Sequence, residues 1–535
     1  MLRRFSALLL ISFPLLVSAQ RNFDVVHYKF ALKLNDNNDT IYGEAEITAF
    51  AKKGTRSLTL DLSGDMFGKQ KGMTVTGARS FFTSSGNKRE MASFVHADNR
   101  LTIDLREVLP EDDTVIATVK YKGIPTDGLI ISKNKYDRRT FFADNWPNRA
   151  HNWIPCVDDP ADKASVEFIV LAPAHYQVVA NGVLEEETNM PDETKLTRWK
   201  EDVPLPTKVM VIGAAQFAVN NVGDVNCIPV SSWVFPENRN EGFYDYALAK
   251  DVLAWHINYI GPYAYKKLAN VQSKTIFGGM ENASAIFYYE GSVSGSRAEE
   301  DLFSHEIVHQ WFGNMATEKS FAHLWLSEGF ATYLTHVYIE AHYGSDSLKQ
   351  RMAAERETVL DFVKESKRPV VDTTSNYMKL LNANSYQKGS WVLHMLRRQL
   401  GDTVFHKSIR DYYAAFAGKN ADTKDLQKIF ERNSGKNLEQ FFQQWLYRPE
   451  NPDLKINWQY LKKEQSVAIT VEQLQSTPFV FPLEISVTGN APRTQSLQVK
   501  NRKETFKIPV KGSPSGILPD PNVSLLAAIT VHELK

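Results

Sequence analysis

Two histidines flank a glutamate in the stretch Ser304-His-Glu-Ile-Val-His-Gln-Trp-Phe-Gly-Asn314. On a helix, His305 and His309 lie one turn apart on the same face, so both imidazoles can reach one ion. Zinc suits imidazole, and a catalytic zinc takes three protein ligands and keeps one position for water. A third donor is available downstream. Eighteen residues separate His309 from Glu328 in Trp325-Leu-Ser-Glu-Gly-Phe-Ala331, itself helical in pattern. A carboxylate from a second, antiparallel helix completes a set of two histidines and one glutamate. Glu306, next to His305, is placed to serve as general base toward a zinc-activated water. It would take the proton as the water attacks a carbonyl and pass it to the leaving amine.

Composition narrows the field. The chain has 535 residues, 43% of them hydrophobic, with 62 Lys and Arg against 62 Asp and Glu. That length implies two to four domains with ample core material. A net charge of zero gives no electrostatic footprint for nucleic acid. The start, Met1-Leu-Arg-Arg, is followed by an apolar run from Leu8 to Val17 and the small residues Val17-Ser18-Ala19. This reads as an export signal spanning residues 1–19, leading to the periplasm or the extracellular medium. No later stretch reaches the roughly 18 apolar residues of a membrane span. Cys156 and Cys227 are the only cysteines, too few for a cysteine-based zinc site, and the sequence leaves their pairing open.

The elements that must carry these residues follow from hydrophobic periodicity. Residues 20–207 read as an all-β domain: Tyr28, Phe30, Leu32 and Leu34 alternate with polar positions, Asn35–Asp39 turns, and Ile41, Ala45 and Ile47 continue as the partner strand. Residues 208–447 read as mainly helical, with apolar spacings of three and four in Tyr244–Ile260, Asp301–Phe312, Leu326–Gly344 and Ser385–Gly401. Gly344 and Gly401 stand where helices stop. Residues 448–535 return to short alternating strands, as in a small β-sandwich-like module. The expected fold class is therefore multidomain α+β.

These motifs, in this order, resemble the M1 family of zinc aminopeptidases, of the gluzincin group. Gly278-Gly-Met-Glu-Asn282 matches the family's exopeptidase signature, Ser385-Tyr-Gln-Lys-Gly389 the segment carrying its catalytic tyrosine, and Pro155-Cys-Val-Asp-Asp-Pro-Ala-Asp-Lys-Ala164 the end of its N-terminal β-domain signature. The resemblance implies a saddle-shaped N-terminal β-domain, a thermolysin-like catalytic domain and a C-terminal region. It implies one zinc per chain on His305, His309 and Glu328, with Glu306 as base. Tyr386 would stabilise the oxyanion. Glu281 would bind the free α-amine of a peptide, with Gly278, Gly279, Met280 and Asn282 lining the adjoining subsite. The implied substrates are peptides with a free N-terminus.

One departure stands out. Family members commonly carry a glutamine shortly before the Pro-Cys block as a second amine partner. Phe141–Cys156 contains none, leaving Asp144 or Asn145 as substitutes. His151, His256, His323, His336 and His394 lack a motif and are read as structural or exposed, and Asp158–Asp162 as a turn and cap region. A branch of the family that also hydrolyses a lipid epoxide has a helical C-terminal domain, unlike this β-like tail. A scaffold without activity would lack the zinc ligands or the base.

Overall fold

The computed structural model describes residues 21–64, 71–85, 90–489 and 492–534, so the export signal expected over residues 1–19 lies outside the described residues. The alternating run at the start forms strand Phe23–Lys33, paired antiparallel with Ile41–Ala51. Asn35 closes the turn between them, its side-chain oxygen accepting the Asn37 and Asn38 N–H groups at 2.9 and 3.0 Å. These two strands sit in an eight-stranded sheet ordered Val183–Asn189, Thr194–Pro206, Lys163–Pro173, Phe23–Lys33, Ile41–Ala51, Thr114–Ile124, Gly72–Phe82, Glu90–Met91. It is antiparallel except where Phe23–Lys33 runs parallel to Lys163–Pro173. Smaller sheets built from Thr55–Asp61, Arg100–Leu109 and Phe94–Ala97, and from four strands within Leu129–Ala215, complete a β-rich N-terminal part.

The helical stretch opens with a sheet that periodicity does not reveal. Ala218–Val225, Ile228–Val234, Leu268–Gln272, Ala285–Tyr288 and Gly279–Met280 form a mixed five-stranded sheet, in that order. Leu268–Gln272 and Ala285–Tyr288 are buried at every position, so no inside–outside alternation is written in them. Around this sheet stand α1 (Arg239–Tyr246), α2 (Leu248–Tyr259), α3 (Glu300–Val308), α4 (Trp325–Tyr343), α5 (Ser345–Glu365), α6 (Gly389–Leu400), α7 (Asp402–Phe416), α8 (Thr423–Ser434) and α9 (Glu439–Leu446). The expected stops hold: Gly344 and Gly401 follow α4 and α6 with φ of 90° and 86°.

Helices α4 and α6 touch backbone to backbone. A methyl group on Gly329 would meet the Gly389 backbone at 2.9 Å, and one on Gly389 would meet the Gly329 Cα at 3.0 Å. Only glycine at both positions allows this approach, which brings Glu328 and the turn carrying Tyr386 to one place.

After α9 the chain forms two further sheets. One runs Lys503–Pro509, Ser466–Gln473, Asp453–Leu461, Ala528–Glu533, and the other Arg493–Val499, Phe481–Gly489, Pro514–Pro519. They dock on the helices through Trp445 against Phe479 (ring centres 5.1 Å apart), the Arg356–Asp520 ion pair at 2.7 Å and a His394 Nε2–H bond to the Val523 carbonyl at 2.9 Å. The fold is thus multidomain α+β: a β-rich N-terminal domain, a mainly helical middle region and C-terminal sheets. Cys156 is buried and Cys227 exposed on a hairpin, each as a free thiol. Among the described residues no helix is long and apolar enough to cross a membrane.

Gly329→Ala is expected to destabilise the protein by about 1–3 kcal/mol, the usual cost of overpacking a tight contact. A calorimetric Tm a few degrees lower than wild type checks this, and an unchanged Tm would mean the two helices can part freely.

Candidate metal centre and cleft

Helix α3 carries His305 with His309 at its C-terminal end, and their Nε2 atoms lie 3.1 Å apart. Helix α4 brings Glu328 against both: its Oε2 is 3.4 Å from His305 Nε2 and 3.3 Å from His309 Nε2. Ligand atoms bound about 2.0–2.1 Å from a tetrahedral zinc sit about 3.4 Å from one another, so this triangle matches the ion. Glu328 Oε2 is buried and has no hydrogen-bond partner. Among the described residues this is the one group of three or more such side chains whose donor atoms converge within 4.8 Å.

The imidazoles are oriented for lone-pair donation. His309 Nδ1 lies 3.1 Å from the Phe312 carbonyl oxygen, which can only accept, so the proton is on Nδ1 and the Nε2 lone pair faces inward. Ser327 Oγ lies 3.1 Å from the same Nδ1. The triangle also demands positive charge. Burial opposes protonation of His309, yet the Glu328 carboxylate raises it to about 10. Burial alone would lift the Glu328 carboxyl, but His309 and then His305 hold it below its ordinary range.

A cavity of about 640 Å³ opens beside the triangle. Its lining includes Gly278, Gly279, Met280, Glu281, His305, Glu306, His309, Glu328 and Tyr386, nine of the ten expected site residues. The tenth, Asn282, is fully buried behind the wall. Gly279–Met280 is the edge strand of the five-stranded sheet and runs antiparallel to Ala285–Tyr288. A methyl group at Gly279 would fall 2.3 Å from Glu306 Oε1, so glycine is what lets this edge lie over the Glu306 carboxyl. The Glu281 carbonyl accepts from Gln310 Nε2 at 2.9 Å and Asn314 Nδ2 at 2.8 Å, which ties the strand to the segment just after His309. Gln310 and Asn314 stand inside the quoted motif, but only the fold reveals what they hold.

Electrostatics separates the three carboxylates. Burial pushes Glu306 well above the ordinary carboxylate range; His309 opposes this, while Glu281 and Glu328 add to it. Burial also raises Glu281, partly offset by His309 and Lys208, and its Oε1 has no partner. Tyr386 sits on a π-helical turn, Asn384–Lys388, its ring parallel to His305 with centres 6.0 Å apart. Desolvation and the nearby carboxylates raise its phenol well above the usual value, so it remains a proton donor.

Asp144 and Asn145 are occupied elsewhere. Asp144 accepts from Arg149 (2.6 Å), Thr275 Oγ1 (3.0 Å) and the Ile276 N–H (3.1 Å). Asn145 donates to the Thr207 and Met210 carbonyls and accepts from Trp153 Nε1. Neither lines the cavity, and from that stretch Trp146 does. His151, His256, His323 and His394 bond to Asp158, Ser304, Thr423 and Val523 within the fold. His336 differs: it binds Glu355 at 2.8 Å yet forms part of the cavity wall. In Asp158–Asp162, Asp158 accepts from His151 and Thr207, and Asp159 from Ala161, as turn residues do.

The model of the "Peptidase family M1 domain" matches residues 244–445, and that of the "Peptidase M1 N-terminal domain" matches residues 25–209. Glutamyl aminopeptidase of Sus scrofa is 26% identical over 395 residues, covering 70% of this chain and 42% of the relative. Glutamyl aminopeptidase of Homo sapiens is 24% identical over 532 residues, 92% of this chain and 54% of the relative. Aminopeptidase M1 of Arabidopsis thaliana is 25% identical over 454 residues, 79% of this chain and 51% of the relative. The chain thus spans about half the length of these relatives. The crystal structure of a mutant M1 zinc metallopeptidase from Deinococcus radiodurans shares the fold, with a TM-score of 0.68 at 20% identity, covering 81% of this chain and 96% of that one.

One zinc per chain is expected by elemental analysis, and its loss in Glu328→Ala. Ser327→Ala removes one of the groups beside His309 Nδ1 and leaves the Phe312 carbonyl in place. Changes to such supporting groups typically weaken metal binding about 10–100-fold, and the low end is expected here. Competition with a chelator measures it. Unchanged affinity would mean that the Phe312 carbonyl alone orients the ring.

Proposed function

This chain belongs to peptidase family M1, and on that premise we propose that it is a zinc aminopeptidase hydrolysing the first peptide bond of peptides with a free N-terminus. The observation that carries the reading is Glu281: a buried carboxylate with an unpartnered oxygen, in the same cavity as the zinc site and Glu306. It suits a peptide's α-ammonium, whose pKa of about 7.7–8.0 keeps it largely protonated at neutral pH. An α-amine held there would fix the register of the peptide relative to the ligand triangle on the same cavity. The amine clamp thereby restricts cutting to the N-terminus.

His305, His309 and Glu328 would hold the ion. When bound, zinc supplies Lewis-acid polarisation of the scissile carbonyl and acidification of water. Glu306 accepts the proton of the attacking water and returns it to the departing amine, a task its burial-raised pKa favours because it binds the proton well enough to carry it. The Tyr386 phenol donates a hydrogen bond to the oxygen that gains negative charge, and it stays protonated for the purpose. Gly278, Gly279 and Met280 form the edge along which the substrate backbone lies. The acidic first residue in the name of two relatives is not carried over to this chain. The leader at residues 1–19 supports export as part of the same proposal.

Glu306→Gln is expected to keep its zinc and lose turnover, since it removes the base and no ligand. Tyr386→Phe should lower kcat by about 10²–10³ with little change in KM, because the bond it deletes exists only in the transition state. The test of the exopeptidase reading is mass spectrometry of one peptide and its N-acetylated twin. The free peptide should shorten one residue at a time from its N-terminus while the acetylated one stays intact. Internal cleavage of the acetylated peptide at a comparable rate would make the protein an endopeptidase.

A further inference from the structure

We propose that the cleft selects an apolar N-terminal side chain and excludes an acidic one, with Phe277 and Trp146 as the specificity-determining residues. This rests on the aminopeptidase reading and names its substrate class. The wall continuous with Glu281 is apolar. Met280 adjoins it in sequence, Phe277 lies at the start of the same segment, and Leu381 approaches from the turn that leads to Tyr386. Trp146 stands edge-on to Phe277, with ring centres 6.1 Å apart at 90°, and packs on its other side against Phe321 at 5.9 Å and 75°. Trp146 and Met280 are each 2% exposed, so the wall is packed and its shape is set.

The charges around the cavity all have one sign apart from histidine. Glu281, Glu299, Asp301, Glu306 and Glu328 line it, and among the described residues no lysine or arginine does. Of the lining histidines, His305 and His309 are the zinc ligands and His336 is engaged with Glu355. Arg149 lies behind the wall, its guanidinium 5.7 Å from the Phe277 ring centre. Its charge is already met by Asp144 at 2.6 Å and Asp127 at 2.9 Å. A carboxylate side chain entering beside Glu281 would lose its water, find no cation and face other carboxylates. An aliphatic or aromatic side chain would bring no charge to desolvate and could pack against Phe277, Met280 and Leu381. The acids Glu299 and Asp301 belong to the α3 side of the cleft, where Glu299 accepts from the Tyr289 hydroxyl at 2.8 Å and Asp301 pairs with Arg351.

The test is kcat/KM of the zinc-loaded full chain on Leu, Met, Phe, Lys, Glu and Asp arylamides. Leu, Met and Phe are expected to exceed Glu and Asp by at least about 10²-fold, the scale on which an apolar pocket rejects a polar analogue. Glu or Asp matching Leu, or Lys leading the series, overturns the inference and leaves the aminopeptidase reading standing. No turnover of any of the six overturns that reading instead. Phe277 is only half-buried, so Phe277→Arg should fold with its zinc. It is expected to raise the Glu-to-Leu ratio about tenfold by supplying the missing cation. Phe277→Ala, a milder change, should narrow the preference for Phe over Ala arylamide. Unchanged ratios in a zinc-loaded Phe277 variant would remove Phe277 from the wall and overturn its assignment.

Discussion

Burying three carboxylates around one cavity is the constraint on which the rest of the molecule depends. Glu281, Glu306 and Glu328 are each 5% exposed or less, in a space whose walls carry no lysine or arginine among the described residues. An isolated carboxylate pays heavily for leaving water, and it responds either by taking a proton or by finding a cation. The three resolve this differently. Glu328 stays ionised because two imidazoles and, when present, zinc face it. Glu306 is driven toward the protonated form by burial and by its two acidic neighbours, a property that suits the proton-carrying role proposed for it. Glu281 has an oxygen with no partner, and the positive charge it lacks is one a peptide's N-terminus brings. One electrostatic problem thus leaves three carboxylates in three states: one facing two imidazoles, one driven toward its protonated form and one with an open oxygen.

Keeping three such groups close requires backbones to approach more nearly than side chains normally allow. At Gly279 the edge strand lies over Glu306 with no room for a methyl group. At Gly329 and Gly389 two helices meet so that the residue before one and the turn before the other face the same cavity. The amide side chains of Gln310 and Asn314, just beyond His309, then fix the Glu281 carbonyl. The Glu281 backbone is thereby tied to the segment that carries His309.

What could be read before folding follows from where the signal is local. The spacing of His305 and His309 is legible because helical period alone puts them on one face, and Glu328 because its own helix carries a recognisable pattern. Tyr386 has no such signal: one tyrosine among 21, it stands out only through resemblance. The sheet containing Leu268–Gln272 and Ala285–Tyr288 was hidden because strands buried on both faces show no alternation. In sequence Asp144 and Asn145 read as open to an amine, since a sequence cannot show that an acceptor is already taken by Thr275, Ile276, Arg149 or Trp153. The same reasoning missed Trp146, whose place on the wall depends on contacts with Phe277 and Phe321 from distant parts of the chain.

The turn that delivers Tyr386 shows why the C-terminal sheets matter to a site they do not touch. A π-helical turn carries one extra residue and is held only where neighbours compensate for its weaker hydrogen bonding. Here nearly every neighbour of the tyrosine is anchored. Asn384 donates to the Arg368 carbonyl at 2.8 Å, Ser385 to the Leu380 carbonyl at 2.7 Å, and Gly389 is locked against Gly329. Lys388, fully buried, directs its amine to the carbonyls of Glu450 at 3.3 Å and Arg448 at 3.5 Å, and burial pulls its pKa down to about 7. Those carbonyls belong to the segment that leads from α9 into the first C-terminal strand, Asp453–Leu461. The C-terminal module therefore buttresses the turn from behind, and Tyr386 is the member of the turn that reaches the cavity because those beside it are held elsewhere.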